Sequence, residues 1–321
     1  MHSEVYNYDI LTNGEAISRR KRKKEKTMKK IISLILAMSM LLGAMLVMTS
    51  CGIFGANDEN EKIYVQTNAY FAPFEYYDDT DIVGVDVEIM EKVGEKMGKD
   101  IVWQDGDFGI IIDTVKAGEL ADCGAAGLTI TDERKEKVDF SNPYYTSIQY
   151  VILPSGSDIE TKTVDGVTYI VWEALAGKTI ATQTDTTGWI YTDGEINATA
   201  DNDYGYDGVL YGTNTKHEAM DSANVAADAL GITIDAIIVD ELPAKYIVAN
   251  NTKGFTCYPL YYSGADGEAD SPVEEQYAIA VTKGNTELLD AINAVLAELL
   301  VKDESGKTEI EKMVMQHRGM N

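Results

Sequence analysis

Three cysteines, three histidines and six prolines are all that 321 residues hold of these types. No C-x-x-C pair occurs, and His2, His217 and His317 are too scattered for metal-ligand spacing. With so little proline and 45% apolar residues, the composition excludes a disordered chain. Basic residues are scarce as well: 27 Lys and Arg stand against 53 Asp and Glu, a net charge of −26. A phosphate backbone repels such a surface, so general nucleic-acid binding is excluded. Binding to anionic lipid by surface charge alone is disfavoured for the same reason. A nucleotide loop of the G-x-x-x-x-G-K-[ST] type is missing, so any energy input must come from a partner.

What is present is enough chain for about two domains, at roughly 150 residues each. Its charge is uneven. Residues 1–50 hold nine of the 27 basic groups and four of the 53 acidic ones, which leaves 18 and 49, a net of −31, in the body. From Met28 the chain reads MKKIISLILAMSMLLGAMLVMTSCG, with two lysines, an uncharged run from Ile31 to Met48, and small residues before Cys51. That order is the one found in a secretory signal, here spanning 28–50. A transmembrane anchor would have a run of similar length. Met48-Thr49-Ser50-Cys51 resembles the bacterial lipobox, with Met48 replacing the usual Leu. The resemblance implies that Cys51 is diacylated and anchors the chain to the membrane. Residues 51–60 read as a short tether.

Residues 1–27 are polar, lack helical periodicity and end in SRRKRKKEKT. The motif-level reading of that basic run is a nuclear or nucleic-acid tail; we read the segment instead as upstream DNA that has been translated, with the true start at Met28. Lys24-Glu25-Lys26 can be encoded by a ribosome-binding sequence at a suitable distance before it. Cys123 and Cys257 permit one disulfide, which spacing alone does not decide. The segment DNDYGYDG faintly resembles a calcium loop through Asp201, Asp203 and Asp207. Tyr206 and Gly212 stand where Gly and Glu would be needed, so we read a solvated acidic loop.

The body alternates strand and helix signals. Ile63–Thr67 reads as a strand, and Asp86–Met97 as a helix with Ile89, Met90, Val93 and Met97 on one face. Ile101–Trp103 is a strand, Phe108–Ala117 a helix and Asp122–Ala126 a strand. Thr131 is placed as the N-cap of a third helix, with Asp132 and Glu133 in its first turn. The same grammar restarts after Pro154. Lys178–Thr182 reads as a strand, Glu218–Leu230 as a helix, Asp235–Val239 as a strand and Glu241–Asn250 as a helix. Tyr277–Val281 follows as a strand and Thr286–Leu300 as an amphipathic helix, while 189–216 stays unassigned. Such alternation predicts α/β architecture with parallel sheets covered on both faces. The expected fold has two lobes joined near Tyr144–Ile148, with ligand in the cleft at the carboxyl ends of strands.

The sharpest segment is Ala126–Arg134, which follows a strand and opens a helix. Gly127 lets backbone approach a ligand, and Thr129 offers a hydroxyl. A helix amino end favours an anion, and Arg134 can fork two hydrogen bonds onto a carboxylate. Taken alone, Arg134 is better read as pairing with Glu133 or Asp139 on a solvated face.

Five segments in order resemble the extracellular solute-binding proteins of polar amino-acid ABC transporters: Thr67–Tyr76, Val83–Glu88, Thr129–Pro143, Gln183–Gly188 and Asp235–Glu241. Asp185 stands in the fourth where Gly is usual. The resemblance implies a two-lobed, type II periplasmic-binding-protein-like fold, with 61–146 and 277–321 as one lobe and 147–276 as the other. It further implies that Arg134, Thr129 and the backbone around Gly127 hold a ligand α-carboxylate, with Thr187 adding to it from the second lobe. Asp240 would hold the α-ammonium, and Phe71 and Phe108 would sandwich the side chain. Asn68 and Gln183 would read its far end. Both are neutral, and Ala126 replaces the Ser of some relatives, which points to a polar uncharged amino acid such as glutamine or cystine. Implied partners are a permease and a separate ATPase. The expected state is a monomer, without cofactor, on the extracellular face of the cytoplasmic membrane. Two other function classes have requirements of their own. A dehydratase-like enzyme on this scaffold would need Glu75 or Asp240 as acid or base. A sensor would need a transmembrane helix and a signalling domain after the lobes, where only an amphipathic helix is read.

Overall fold

The computed structural model describes residues 62–197, 206–265 and 268–318. The expectations for 1–27, the 28–50 signal, the 51–60 tether with Cys51, and Asp201 and Asp203 lie outside the described residues.

The first sheet orders its strands Asp100–Asp105, Lys62–Thr67, Cys123–Gly124, Ala280–Val281, Asp139–Phe140. The first three run parallel, whereas Ala280–Val281 is antiparallel to both its neighbours. On one face lies the helix Val85–Met97, which begins one residue before the predicted start. Its spacing of Ile89, Met90 and Val93 turns that stripe into the core, against Leu288, Ile292 and Leu296 of the Thr286–Leu299 helix. Gly98 ends it in the left-handed conformation, φ 67°, and its N–H bonds back to Glu95 and Gly94. The opposite face packs Ile111, Val115, Leu128 and Val138.

The second sheet orders Lys216–Met220, Thr179–Gln183, Ala236–Asp240, Tyr145–Leu153, Thr256–Tyr262, Val167–Val171, Lys162–Val164. Ala226, Leu230, Ile237 and Ile247 fill one side, and Trp172, Leu175, Ile180 and Leu260 the other. The chain passes between the sheets on two segments. Tyr145–Leu153 leads out and Glu274–Tyr277 returns, paired antiparallel from Tyr145↔Tyr277 to Ile148↔Glu274.

Two lobes of α/β structure are therefore as expected, but several details are corrected. Neither sheet is purely parallel. A returning strand at Ala280–Val281 and the outgoing Tyr145–Leu153 each insert antiparallel, because a chain that crosses between lobes must re-enter each sheet in the opposite sense. Phe108–Ala117 is not one helix: Phe108–Ile110 is a 3₁₀ turn before Ile111–Ala117, where Gly109 weakens the helical preference. Only Cys123–Gly124 of the predicted Asp122–Ala126 strand enters the ladder. The predicted Glu218–Leu230 helix is overturned at its start. Lys216–Met220 pairs as an edge strand with Thr179–Gln183, and the helix begins at Ala223, where the Ser222 hydroxyl accepts from the Val225 N–H. Tyr277–Val281 is split, since Tyr277 ends the crossover strand and Ala280–Val281 joins the other sheet. The helix Thr187–Asn197 runs into the unassigned stretch. Cys123 and Cys257 are both free, one packed in each lobe.

Candidate functional site

The strands Lys62–Thr67, Thr179–Gln183 and Ala236–Asp240 all end at one cleft between the lobes, and the segment after Cys123–Gly124 closes it. The cleft is nearly shut, with a free volume of about 20 Å³. All ten residues predicted for the site line it: Asn68, Phe71, Phe108, Ala126, Gly127, Thr129 and Arg134 from one lobe, Gln183, Thr187 and Asp240 from the other. Sequence reasoning missed Thr186, Gly188, Ile238 and Val239, which also face the cleft and carried no signal beyond adjacency.

Arg134 is placed by its helix. Thr131 caps that helix as predicted, its hydroxyl accepting from the Arg134 N–H at 3.1 Å. The side chain is only 7% exposed. Nη1 donates to the Thr129 carbonyl at 2.9 Å, and Nη2 crosses the cleft to the Asp185 carbonyl at 3.1 Å. Its guanidinium lies 5.5 Å from the Phe108 ring centre, within cation–π range. Burial lowers its pKa, and the carboxylates of Glu275 and Asp240 oppose that shift. A guanidinium keeps its charge in any such setting. The solvated-face pairing with Glu133 or Asp139 is therefore not what the fold uses.

Asp185 explains its own oddity. It has φ 62°, the left-handed region in which glycine is favoured, and it turns its carbonyl toward Arg134. Gly127, at φ 52°, is needed for space as well as for conformation. A Cβ there would stand 2.6 Å from the Phe71 ring. Its N–H is already taken by Asp86 at 2.9 Å, so Gly127 contributes room and not a free donor.

Asp240 sits in a buried acidic shell that the sequence did not reveal. The Gln149 side-chain amide donates to Oδ1 and the Tyr277 hydroxyl to Oδ2. Burial holds its carboxyl well above the usual range, with Glu275 adding to the rise and the Tyr277 and Gln149 bonds working against it. Glu275, 3% exposed, accepts the Thr129 hydroxyl at 3.2 Å, and Thr129 lies 3.5 Å from the Thr187 hydroxyl. Behind them Glu75 is fully buried, and neither of its oxygens has a hydrogen-bond partner among the described residues. Its pKa rises through burial first, then through Asp86 and Asp240. The one available sequence signal was period-2 alternation in Glu274–Tyr277, which puts Glu275 and Tyr277 on the same inward face.

Across the far end, Gln183 Nε2 donates to Asn68 Oδ1 at 3.0 Å, and Asn68 Nδ2 donates to the Gly106 carbonyl at 2.9 Å. Chemically the cleft offers a buried cation, a buried carboxyl facing it from the other lobe, two aromatic walls and two neutral amides. Among the described residues no group of His, Cys, Asp and Glu has metal-site geometry, and no helix is long and apolar enough to cross a membrane.

Residues 63–310 match the model of the bacterial extracellular solute-binding proteins, family 3. The chain is 28% identical over 270 residues to the arginine-binding extracellular protein ArtP of Bacillus subtilis (strain 168), covering 83% of this chain and 90% of that one. It is 26% identical over 254 residues to the L-cystine-binding protein TcyJ of Escherichia coli K12, covering 77% and 81%. Among solved structures, the amino acid ABC transporter substrate-binding protein AbpA from Streptococcus pneumoniae, bound to L-arginine, superposes with a TM-score of 0.64. It is 25% identical, with 81% of this chain and 96% of that chain covered.

Proposed function

The chain belongs to the bacterial extracellular solute-binding proteins, family 3, and from that premise we propose that it is the lipid-anchored amino-acid receptor of an ABC importer. In this reading it hands its ligand to a membrane permease driven by a separate ATPase. Cys51 carries the lipid, 28–50 is the signal, and a monomer works on the extracellular face of the cytoplasmic membrane. The lobes are 61–146 with 277–321, and 147–276. The matched family and the relatives named above are binding proteins, so the enzyme reading built on Glu75 or Asp240 is set aside.

One observation carries the proposal. Of the residues lining the cleft, Arg134 and Asp240 are the ionisable ones, of opposite charge type and on opposite lobes. A zwitterion is costly to dehydrate unless each charge meets a partner, and this pair supplies both only when the lobes meet. Closure is then the population shift that ligand drives. Arg134 takes the α-carboxylate with Thr187 and with Thr129, whose hydroxyl turns from Glu275 to the ligand. Asp240 takes the ammonium, and Phe71 and Phe108 flank the side chain.

The ligand side chain is polar and uncharged, as in glutamine or cystine. Support comes from Asn68 and Gln183, whose amides meet at the far end with no carboxylate among the lining residues there. The arginine named for ArtP would bring a second positive charge to that end and find no counter-charge. A thermal-shift and calorimetric screen against the common amino acids and cystine tests this. A tight ligand raises the melting temperature because it binds only the folded state. Silence from every amino acid, in folded and ligand-free protein, would overturn the proposal.

A further inference from the structure

Asp185 bridges the lobes twice. Its main-chain oxygen accepts from Arg134 Nη2 at 3.1 Å, and its side chain crosses to Gly109 on that same opposite lobe. A Cβ added at Gly109 would stand 2.2 Å from Asp185 Oδ2 and 3.1 Å from its Cγ. The carboxylate therefore fills the space that a side chain at 109 would need. Gly109 belongs to the Phe108–Ile110 turn, which also carries the Phe108 wall of the cleft. Both residues are exposed, so the contact lies at the rim and not in the core.

Outside that rim lies an open crevice with a free volume of about 310 Å³. Phe108, Ile112 and Arg134 line it from one lobe and Trp189 from the other, together with Gly109 and Asp185. Phe108 and Arg134 face both the crevice and the nearly shut cleft, whereas Gly109 and Asp185 face the crevice alone. The contact thus stands on the outer side of the wall between cleft and crevice. The backbone of Asp185 is part of the device. At φ 62° it is left-handed, a region that Asp tolerates and β-branched residues avoid. Leaving that region reorients the following peptide and takes its oxygen off Arg134.

Resting on the amino-acid reading above, we infer that Asp185 is a latch residue, which holds the lobes closed over a bound amino acid and sets the rate at which it leaves. Capture takes place in the open form, in which Asp185 touches neither Arg134 nor Gly109. Release requires both contacts to break. The latch therefore acts on dissociation, the limb on which affinity differences between related complexes mostly fall. It acts through Arg134 and the Phe108 turn and not on the ligand itself, so Asp185 is a positioning residue.

Stopped-flow fluorescence of the whole protein, with Trp189 beside the contact as reporter, measures both rates. The probes are L-glutamine, L-cystine, L-histidine and L-arginine. Asp185→Val disfavours the left-handed turn and loses both contacts, so the bound amino acid is expected to leave about tenfold faster. Asp185→Gly keeps the turn and its carbonyl and loses only the seat on Gly109, for an increase of about threefold. Asp185→Asn keeps both contacts without the charge and stays within about twofold of the native release rate. Association rates are expected to stay within about twofold in all three variants. A native release rate in Asp185→Val would overturn the inference and leave the amino-acid reading standing. Equal acceleration by Asn and Val, or a loss of affinity carried by association, would overturn it too. Binding of none of the probes to folded protein would overturn the amino-acid reading and the latch with it.

Discussion

Arg134 reaches out of its own lobe: its Nη2 donates to the main-chain oxygen of Asp185 on the other lobe at 3.1 Å, while Nη1 stays on the Thr129 carbonyl at 2.9 Å. The guanidinium is therefore a clamp across the cleft as well as a charge within it. Of its five N–H donors these two bonds use two, and the other three have no hydrogen-bond partner among the described residues, which leaves them for a carboxylate.

Arg134→Ala is expected to weaken amino-acid binding by about 3 kcal/mol, roughly a hundredfold, since charge-assisted hydrogen bonds are each worth about 1.5–3 kcal/mol. Titration calorimetry with the ligand found in the screen measures it. A loss below about threefold would remove Arg134 from the site.

Asp86 links stability to pH. Its carboxyl accepts from the Gly127 N–H at 2.9 Å and the Tyr144 hydroxyl at 2.5 Å, yet burial outweighs both and pushes its pKa up from 3.8 to about 6. A folded-state pKa above the unfolded value means that the folded form binds the proton more tightly. This contribution is full below about pH 4 and is lost as pH rises through about 6, a cost of about 3 kcal/mol at neutral pH. Glu75 and Asp240 shift in the same direction. Asp270, lowered to about 2, titrates below this window. Chemical denaturation of the ligand-free protein between pH 4 and 8 should show stability falling with pH, less steeply in Asp86→Asn. An unchanged slope in that variant would refute the assignment.

Glu75→Met should stabilise the ligand-free protein. Both oxygens of this fully buried carboxyl lack partners among the described residues, and an unsatisfied buried polar group costs about 1–3 kcal/mol. An apolar side chain of similar length removes that cost. The raised pKa makes the gain larger at pH 8 than at pH 4. Denaturation midpoints at the two pH values are the check, and a loss of stability at both would show that Glu75 has a role beyond being buried.

Cys123 and Cys257 should behave as two independent thiols. Cys123 is fully buried, and Cys257 is partly buried in the other lobe. Burial raises both thiol pKa values, which slows alkylation by keeping thiolate scarce. Peptide mapping after iodoacetamide should find Cys257 labelled slowly and Cys123 only after unfolding. A reductant-sensitive melting temperature with a Cys123–Cys257 peptide would contradict this.

Much of the site is legible in the sequence because its parts are local. The Thr131 cap, the acidic first turn and Arg134 within it are one short segment, and a helix start is encoded by its own few residues. Asn68, Gln183 and Asp240 follow hydrophobic strand runs, so their place at strand ends comes with the pattern. Legibility fails where the pattern is ambiguous. Lys216–Met220 is an edge strand with little apolar signal, and only pairing with Thr179–Gln183 makes it a strand at all.

The periodicities, the caps and the chemical types that ring the cleft are written in short stretches of the chain. What stands behind them was set by contacts between distant stretches. Tyr277 and Gln149 reach Asp240 across 37 and 91 residues, and Glu275 reaches Thr129 across 146. Gln149 stands opposite Asp240 because Ala236–Asp240 pairs antiparallel with Tyr145–Leu153, and Glu275 and Tyr277 come alongside because Glu274–Tyr277 pairs with that same strand. Strand partners are chosen by the burial of whole faces and not by neighbouring residues, so no short window of sequence contains that choice.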